Sequence, residues 1–473
     1  MVFSSLLFVF AFLTPCLLIY TFVDKRYKNR VLLIFSLIFY AWGGIAFVGI
    51  LVADAAICWF CARQIEAAGN RSGKKLFMIL ACVGLLGFLG VFKYTTFFCE
   101  NLHAVIGIPK VIPQIVLPIG ISFYTFQLLS YVVDVYRGEV EAQQNYFKLL
   151  LYASLFHQCI AGPIVRYSTV AKEIDSRKAT PNDIYYGIRR FCVGLAKKAL
   201  LANGCANIAD QLLNGGVKAL HAQSTTALWL GMACYTLEIY LDFSAYSDMA
   251  IGMGPMVGFH YLENFNYPYI ATSVQDFWRR WHISLSTFFR DYVYIPLGGN
   301  RCSTGRYVFN MAVVWFLTGM WHGASWNYIL WGLFYLFFLL LEHFVIRDRI
   351  PRGVNHLTTM LVVYFGWVLF RFENLKEVGT VLVGLFGIGT ASFGSLTART
   401  LFTGNIFFLI FCVIACTPLG KSIKQYLFRL AKKNMAAFYV YEIQEAVLPI
   451  ILLILSVLAL IGNTYNPFLY FQF

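Results

Sequence analysis

VLLIFSLIFYAWGGIAFVGILVADAAICWFC, Val31–Cys61, is one apolar stretch held between two basic loops. A helix crosses a bilayer with about 20 mainly apolar residues, so this run is too long for one crossing and has to go in and come back. Gly43-Gly44 is the place to break it, because glycine tolerates turn conformations and weakens a helix. The expected product is a hairpin of two short membrane helices. The loop before it, Asp24–Arg30, carries Lys25, Arg26, Lys28 and Arg30, and the loop after it, Arg63–Lys75, carries Arg63, Arg71, Lys74 and Lys75. Short loops rich in Lys and Arg stay on the cytoplasmic side, which places the N-terminus outside.

Working outward, comparable runs recur at Val2–Phe22, Leu76–Cys99, Ile115–Tyr136, Ala227–Gly254, Val308–Met320, Tyr328–Val345, Thr358–Phe372, Asn405–Cys416 and Phe438–Ile461. Tyr146–Ile164 reads as a helix that dips in without crossing, ending at Gly162-Pro163 before the basic segment Arg166–Lys198. Counting broken ones, about eleven runs are long enough to matter. The first lacks a basic leader and a small-residue cleavage site, so it is expected to be retained as a span. Of the 473 residues 59% are hydrophobic and 13% charged, where a soluble domain needs about 25% charged residues to cover its surface. The net charge of +14 sits in the loops between apolar runs and argues for membrane orientation, not nucleic acid. The chain therefore reads as an all-α polytopic integral membrane protein of the cytoplasmic membrane, one membrane-embedded domain over 1–473. Its last crossing starts from the basic loop Lys421–Lys433 and leaves the tail 462–473, with Tyr470, outside.

Twelve cysteines are scattered through apolar runs as small hydrophobes, and Cys58-Trp59-Phe60-Cys61 has neither a second pair nor a nearby histidine. No metal site is expected. The signatures of soluble enzymes are missing too: no H-E-x-x-H, no Walker loop, no G-x-S-x-G elbow. Any chemistry has to come from polar groups inside apolar segments.

Three groups of such residues stand out. His322 ends the run Val308–Met320 in Trp321-His322-Gly323-Ala324-Ser325-Trp326, so its imidazole is expected deep in the bilayer, where a titratable group needs a cavity or a partner. His282 lies in FWRRWHISLS, Phe277–Ser286; Arg279 and Arg280 are suited to phosphates, Trp278 and Trp281 to stacking, and Asp276 could cap the segment. An interfacial aromatic belt with snorkelling cations would look the same. LEIYLDFSAYSDMAIG places Glu238 and Asp242 four residues apart, on one helix face, with Tyr246 one turn on. Such carboxylates either line a cavity or pair with a basic residue.

These stretches, with LPIGISFYTFQLLSYVVDVYRG (Leu117–Gly138), QCIAGPIVRY and LTGMWHGASWNYILWG, resemble the membrane-bound O-acyltransferase family, and within it the bacterial branch serving alginate and peptidoglycan O-acetylation and teichoic-acid D-alanylation. The resemblance implies re-entrant and interfacial helices around a central tunnel, His322 as the principal catalytic residue and His282 as a second one. Trp321 and Asn327, beside His322, join Trp278, Arg279, Arg280, Glu238, Asp242 and Tyr246 as candidate substrate-binding side chains. It also implies a cytoplasmic thioester donor, here acetyl-CoA with no bound cofactor, an extracytoplasmic partner protein, and a cell-surface polymer as final acceptor. The C-terminal NPFLYFQF resembles a tail whose tyrosine takes the acyl group, which would make Tyr470 a shuttle; an aromatic interface anchor is the plainer alternative. D-alanyl transfer to teichoic acid stays open as a second activity, and a transporter or flippase as a different class, since that too places acids and histidines inside a bundle.

Overall fold

A computed structural model describes residues 1–107, 115–160, 162–346 and 351–462. Among them the chain is helical throughout, with a single bridge between Ser224 and Ser392 in place of any sheet.

The decisive stretch breaks at the glycine pair as expected, but its second helix is not short: at 23 residues it is long enough to cross a membrane by itself. Helix Lys28–Ala41 stops, Gly44 takes φ +146°, and helix Ile45–Ala67 runs on. A side chain at Gly44 would be strained at that φ and would press on the Phe47 ring, so glycine is needed at the turn itself.

Among the described residues five helices are long and apolar enough to cross a membrane: Ile45–Ala67, Arg71–Ile106, Trp326–Val345, Arg352–Arg371 and Met435–Gly462. A sixth span is possible where Leu396–Gly404 and Ile406–Ala415 meet at a 62° bend. Large apolar side chains lie bare on such helices, Val105 at 83% and Phe407 at 85% exposure, a surface suited to lipid. The chain is a multi-pass membrane protein.

The expected count of about eleven, which includes broken runs, is not confirmed by these helices, and breakers shorten several of the apolar runs. Leu7–Phe22 is a shorter apolar helix. Residues before Ile121 do not join the helix Ile121–Arg137, since Gly120 turns at φ +77° against the Cys159 carbonyl. Tyr146–Ser154 is only nine residues long and ends well before Gly162, the expected stop. Thr225–Met256 is long enough at 32 residues, but Glu238, Asp242 and Asp248 disqualify it as a lipid-facing span, and its carboxylates at 238 and 242 are buried in protein.

The chain divides into two compact units. The first comprises Met1–Phe191, Ser247–Glu263 and Thr287–Leu297; in it Ile45–Ala67, Arg71–Ile106 and Ile121–Arg137 pack on one another. Helix Ile121–Arg137 is buried along almost its whole length, polar Thr125, Gln127, Ser130 and Asp134 included. The second unit comprises Cys192–Tyr246, Asn264–Ser286 and Gly298–Phe473. It holds the helical hairpin Thr304–His322 with Trp326–Leu341, which packs in turn on Arg352–Arg371.

Candidate active site

His322 is the last residue of helix Thr304–His322. The helix stops there because Gly323 turns extended, and Ser325 then enters the helix Trp326–Leu341. The two helices cross at close range because glycines face backbone: a Cβ on Gly319 would run into the Tyr328 carbonyl, and one on Gly332 into the Trp315 carbonyl. The ring of Tyr328 fills the space where a side chain on Gly323 would go. This packing seats the imidazole, which is 5% exposed.

Aromatic rings close around it. The centroid of Trp331 lies 4.9 Å from that of His322, Phe370 5.1 Å and Trp321 5.0 Å, all edge to face. Trp321 meets a second histidine on its other contact: His282 stands 5.6 Å from it, at 67°. The two predicted histidines are therefore joined through one indole. Trp278 belongs to the same cluster, 5.4 Å from Trp331 and 4.8 Å from Tyr335. The indole N–H groups of Trp278 and Trp331 and the Tyr335 hydroxyl are buried and make no hydrogen bond among the described residues. Buried donors ordinarily find partners, so unmet ones beside a histidine suit a polar ligand.

His282 sits at φ +44°, a left-handed conformation that costs a non-glycine residue energy and persists where the surroundings enforce it. Asn264 is what enforces it. Its backbone carbonyl accepts from Ile283 N at 2.9 Å, and its side-chain Oδ1 takes His282 Nδ1 at 3.2 Å and Ser284 Oγ at 2.8 Å. An amide oxygen only accepts, so the neutral imidazole donates through Nδ1 and carries its lone pair on Nε2. Phe243 packs on the ring at 4.8 Å.

The segment leading to His282 is a short helix, Val274–Arg280, capped by Ser273 through Asp276 N. Asp276 is thus the third residue of the helix and not its cap, and it holds Arg280 at 2.9 Å. Glu342 reaches the same helix start, accepting from Val274 N at 2.6 Å, as a carboxylate should at the positive end of a helix. Arg279 is exposed.

The remaining predicted residues lie apart from the two rings or serve them indirectly. Asp242 is locked to Lys198 at 2.9 Å, the pairing alternative of the sequence reading. Glu238, also buried, stands one turn away, within electrostatic reach of Asp210 and Arg371. Tyr246 is buried farther along the same helix. Asn327 donates to the Leu369 carbonyl at 3.2 Å, which anchors the helix Arg352–Arg371 next to Phe370. Tyr470 lies outside the described residues. Asn264, Trp331, Tyr335 and Phe370 escaped the sequence reading; the WNYILWG motif held a signal for Trp331, whereas nothing local marks Asn264 or Phe370.

Residues 142–375 match the MBOAT, membrane-bound O-acyltransferase family, a range that includes both histidines. The chain is 37% identical to the "Probable alginate O-acetylase AlgI" of Azotobacter vinelandii, with 100% of each chain covered. It is 33% identical to a peptidoglycan O-acetyltransferase of Helicobacter pylori, covering 83% of this chain and 81% of that one. Against a teichoic acid D-alanyltransferase of Bacillus subtilis identity is 29%, over 54% of this chain and 67% of the other. Likeness of this extent makes this chain a member of the membrane-bound O-acyltransferase family and an acyltransferase.

Proposed function

We propose that the chain transfers acetyl groups from cytoplasmic acetyl-CoA toward a cell-surface polysaccharide or peptidoglycan, with His322 as the base. The observation that carries this reading is the similarity to an alginate O-acetylase over the whole length of both chains. Acetyl transfer is favoured over D-alanyl transfer because the D-alanyl relative covers about half of this chain.

In the proposed reaction His322 removes the proton from an acceptor hydroxyl, whose oxygen attacks the thioester carbonyl. The carbon–sulfur bond breaks, the acyl–oxygen bond forms, and the proton returns to the departing thiolate. The N–H groups of Trp331 and Trp278 are suited to the negative charge that develops on the carbonyl oxygen. The aromatic walls keep water from the activated acyl group. His282, held by Asn264, is the second polar group along the route.

Tyr470 is the proposed first acceptor. A phenol with a pKa near 10 gives an aryl ester, a better acyl donor than an alkyl ester, so the group would remain activated for an extracytoplasmic partner protein. The basic loops around the first hairpin face the cytoplasm in this scheme and both termini face outward, in the cytoplasmic membrane.

The test uses membranes containing the full chain and labelled acetyl-CoA, with the acceptor residue located by mass spectrometry. Label on Tyr470 that disappears in His322→Ala is the expected result. Polymer acetylation at the normal level in Tyr470→Phe would remove the shuttle, and labelling that survives His322→Ala would remove the base.

A further inference from the structure

Sulfur atoms of two cysteines far apart in sequence meet inside the second unit. Cys205 belongs to helix Asn203–Leu213 and Cys412 to helix Ile406–Ala415, both are fully buried, and their Sγ atoms lie 3.7 Å apart, thiol to thiol. The approach is close because the residue before Cys205 has no side chain: a Cβ on Gly204 would press into the Phe408 ring, one turn before Cys412. Both thiols are free.

A disulfide needs sulfurs about 2.05 Å apart, so closure asks for a movement of about 1.7 Å. Access is from the lipid. Phe407, Ile410, Phe411 and Val413 leave the outer face of helix Ile406–Ala415 exposed, and Cys412 lies just behind it. A lipid-soluble oxidant therefore has a short path, while water-borne thiols do not.

We propose that Cys205 and Cys412 are a redox-modification site, a dithiol that a membrane-permeant two-electron oxidant of the quinone or azo class converts to a disulfide. Both S–H bonds break, the S–S bond forms, and two electrons and two protons pass to the oxidant, giving a quinol or a hydrazine. The bond ties helix Asn203–Leu213 to helix Ile406–Ala415. The former also carries Asp210, which holds Arg371 at 2.8 Å, the neighbour of the Phe370 ring that packs on His322.

Membranes holding the full chain are treated with the azo oxidant diamide and glutathione, denatured in N-ethylmaleimide, digested and mapped by mass spectrometry. A peptide containing Cys205 joined to one containing Cys412 is expected, released by dithiothreitol and missing from Cys205→Ser and from Cys412→Ser. The exposed Cys302 reports through its glutathione adduct that the oxidant acted. Full alkylation of Cys205 and Cys412 in a sample whose Cys302 is modified overturns the proposal, as does a link from either of them to the buried Cys234. The wild-type map decides the matter even if a serine variant fails to fold.

Discussion

Lys198 Nζ stands 2.9 Å from Asp242 Oδ1, with side chains 3% and 1% exposed. Two charges this deep depend on each other: each helps to offset the desolvation of its partner. Lys198→Met or Asp242→Leu alone should cost about 3–5 kcal/mol, because the remaining buried charge loses this ion pair, while the double variant with both changes should recover much of the loss. Thermal unfolding of the purified protein in detergent checks this. A double variant as unstable as the sum of the single ones would mean that Asp242 has another task.

His322→Gln should leave the fold in place and remove general-base catalysis, a loss of about 10²–10⁴-fold in acetyl transfer. Paired melting curves and transfer rates separate the two effects. Equal rates would dismiss the imidazole as a base.

Asn264→Ala should release His282 from its left-handed backbone and from its tautomer. Stripping a buried acceptor of this kind costs about 1–3 kcal/mol, and transfer should fall more than stability does. Asn264→Asp, which retains an acceptor oxygen for Nδ1, should restore part of the rate. A rate indifferent to both changes would reduce Asn264 to a loop brace.

Gly332→Ala should force apart the hairpin that seats His322, since its methyl meets the Trp315 carbonyl. Overpacking against backbone costs about 1–3 kcal/mol, and the displaced ring should lower transfer beyond what the melting shift accounts for. Gly353→Ala, with open space around it, serves as the control.

The sequence made the glycine break in the first long apolar run and the two buried histidines legible, and for the same reason: apolar runs advertise where a glycine pair or an imidazole is out of place. It could not show how many runs would cross, because Gly120 and the bend between Gly404 and Ile406 act through packing as much as composition. Nor could it decide between a cavity and a pair for Asp242, since Lys198 is distant in the chain and sits in what looks like a basic loop. The residues that hold the histidines were the hardest to see. Asn264 is an ordinary loop amide until the chain returns to it at His282, and Phe370 is one more aromatic at the end of an apolar helix.

Outside the membrane-spanning helices, His260 supplies a pH-dependent contribution whose sign can be fixed in advance. Its Nδ1 lies 2.7 Å from Glu173 Oε1 and its Nε2 3.5 Å from Asp183. The hydrogen bond to Glu173, supported by the charges of both acids, holds the imidazole pKa above its ordinary value. A base whose folded pKa is raised stabilises the fold fully below its unfolded value, about 6.5, and the contribution fades as pH rises through the folded value. His260→Gln should therefore lower the melting temperature most at mildly acidic pH and converge with the wild type in alkali. Because the side chain is 55% exposed, solvent screening keeps the difference small. Asp183 works in the other direction, since bonds from Thr180 hold its carboxyl below the usual range, so its contribution is lost only as pH falls through that depressed value. Melting curves of the two proteins between mildly acidic and alkaline pH are the measurement, and a gap that widens toward alkali would refute the assignment.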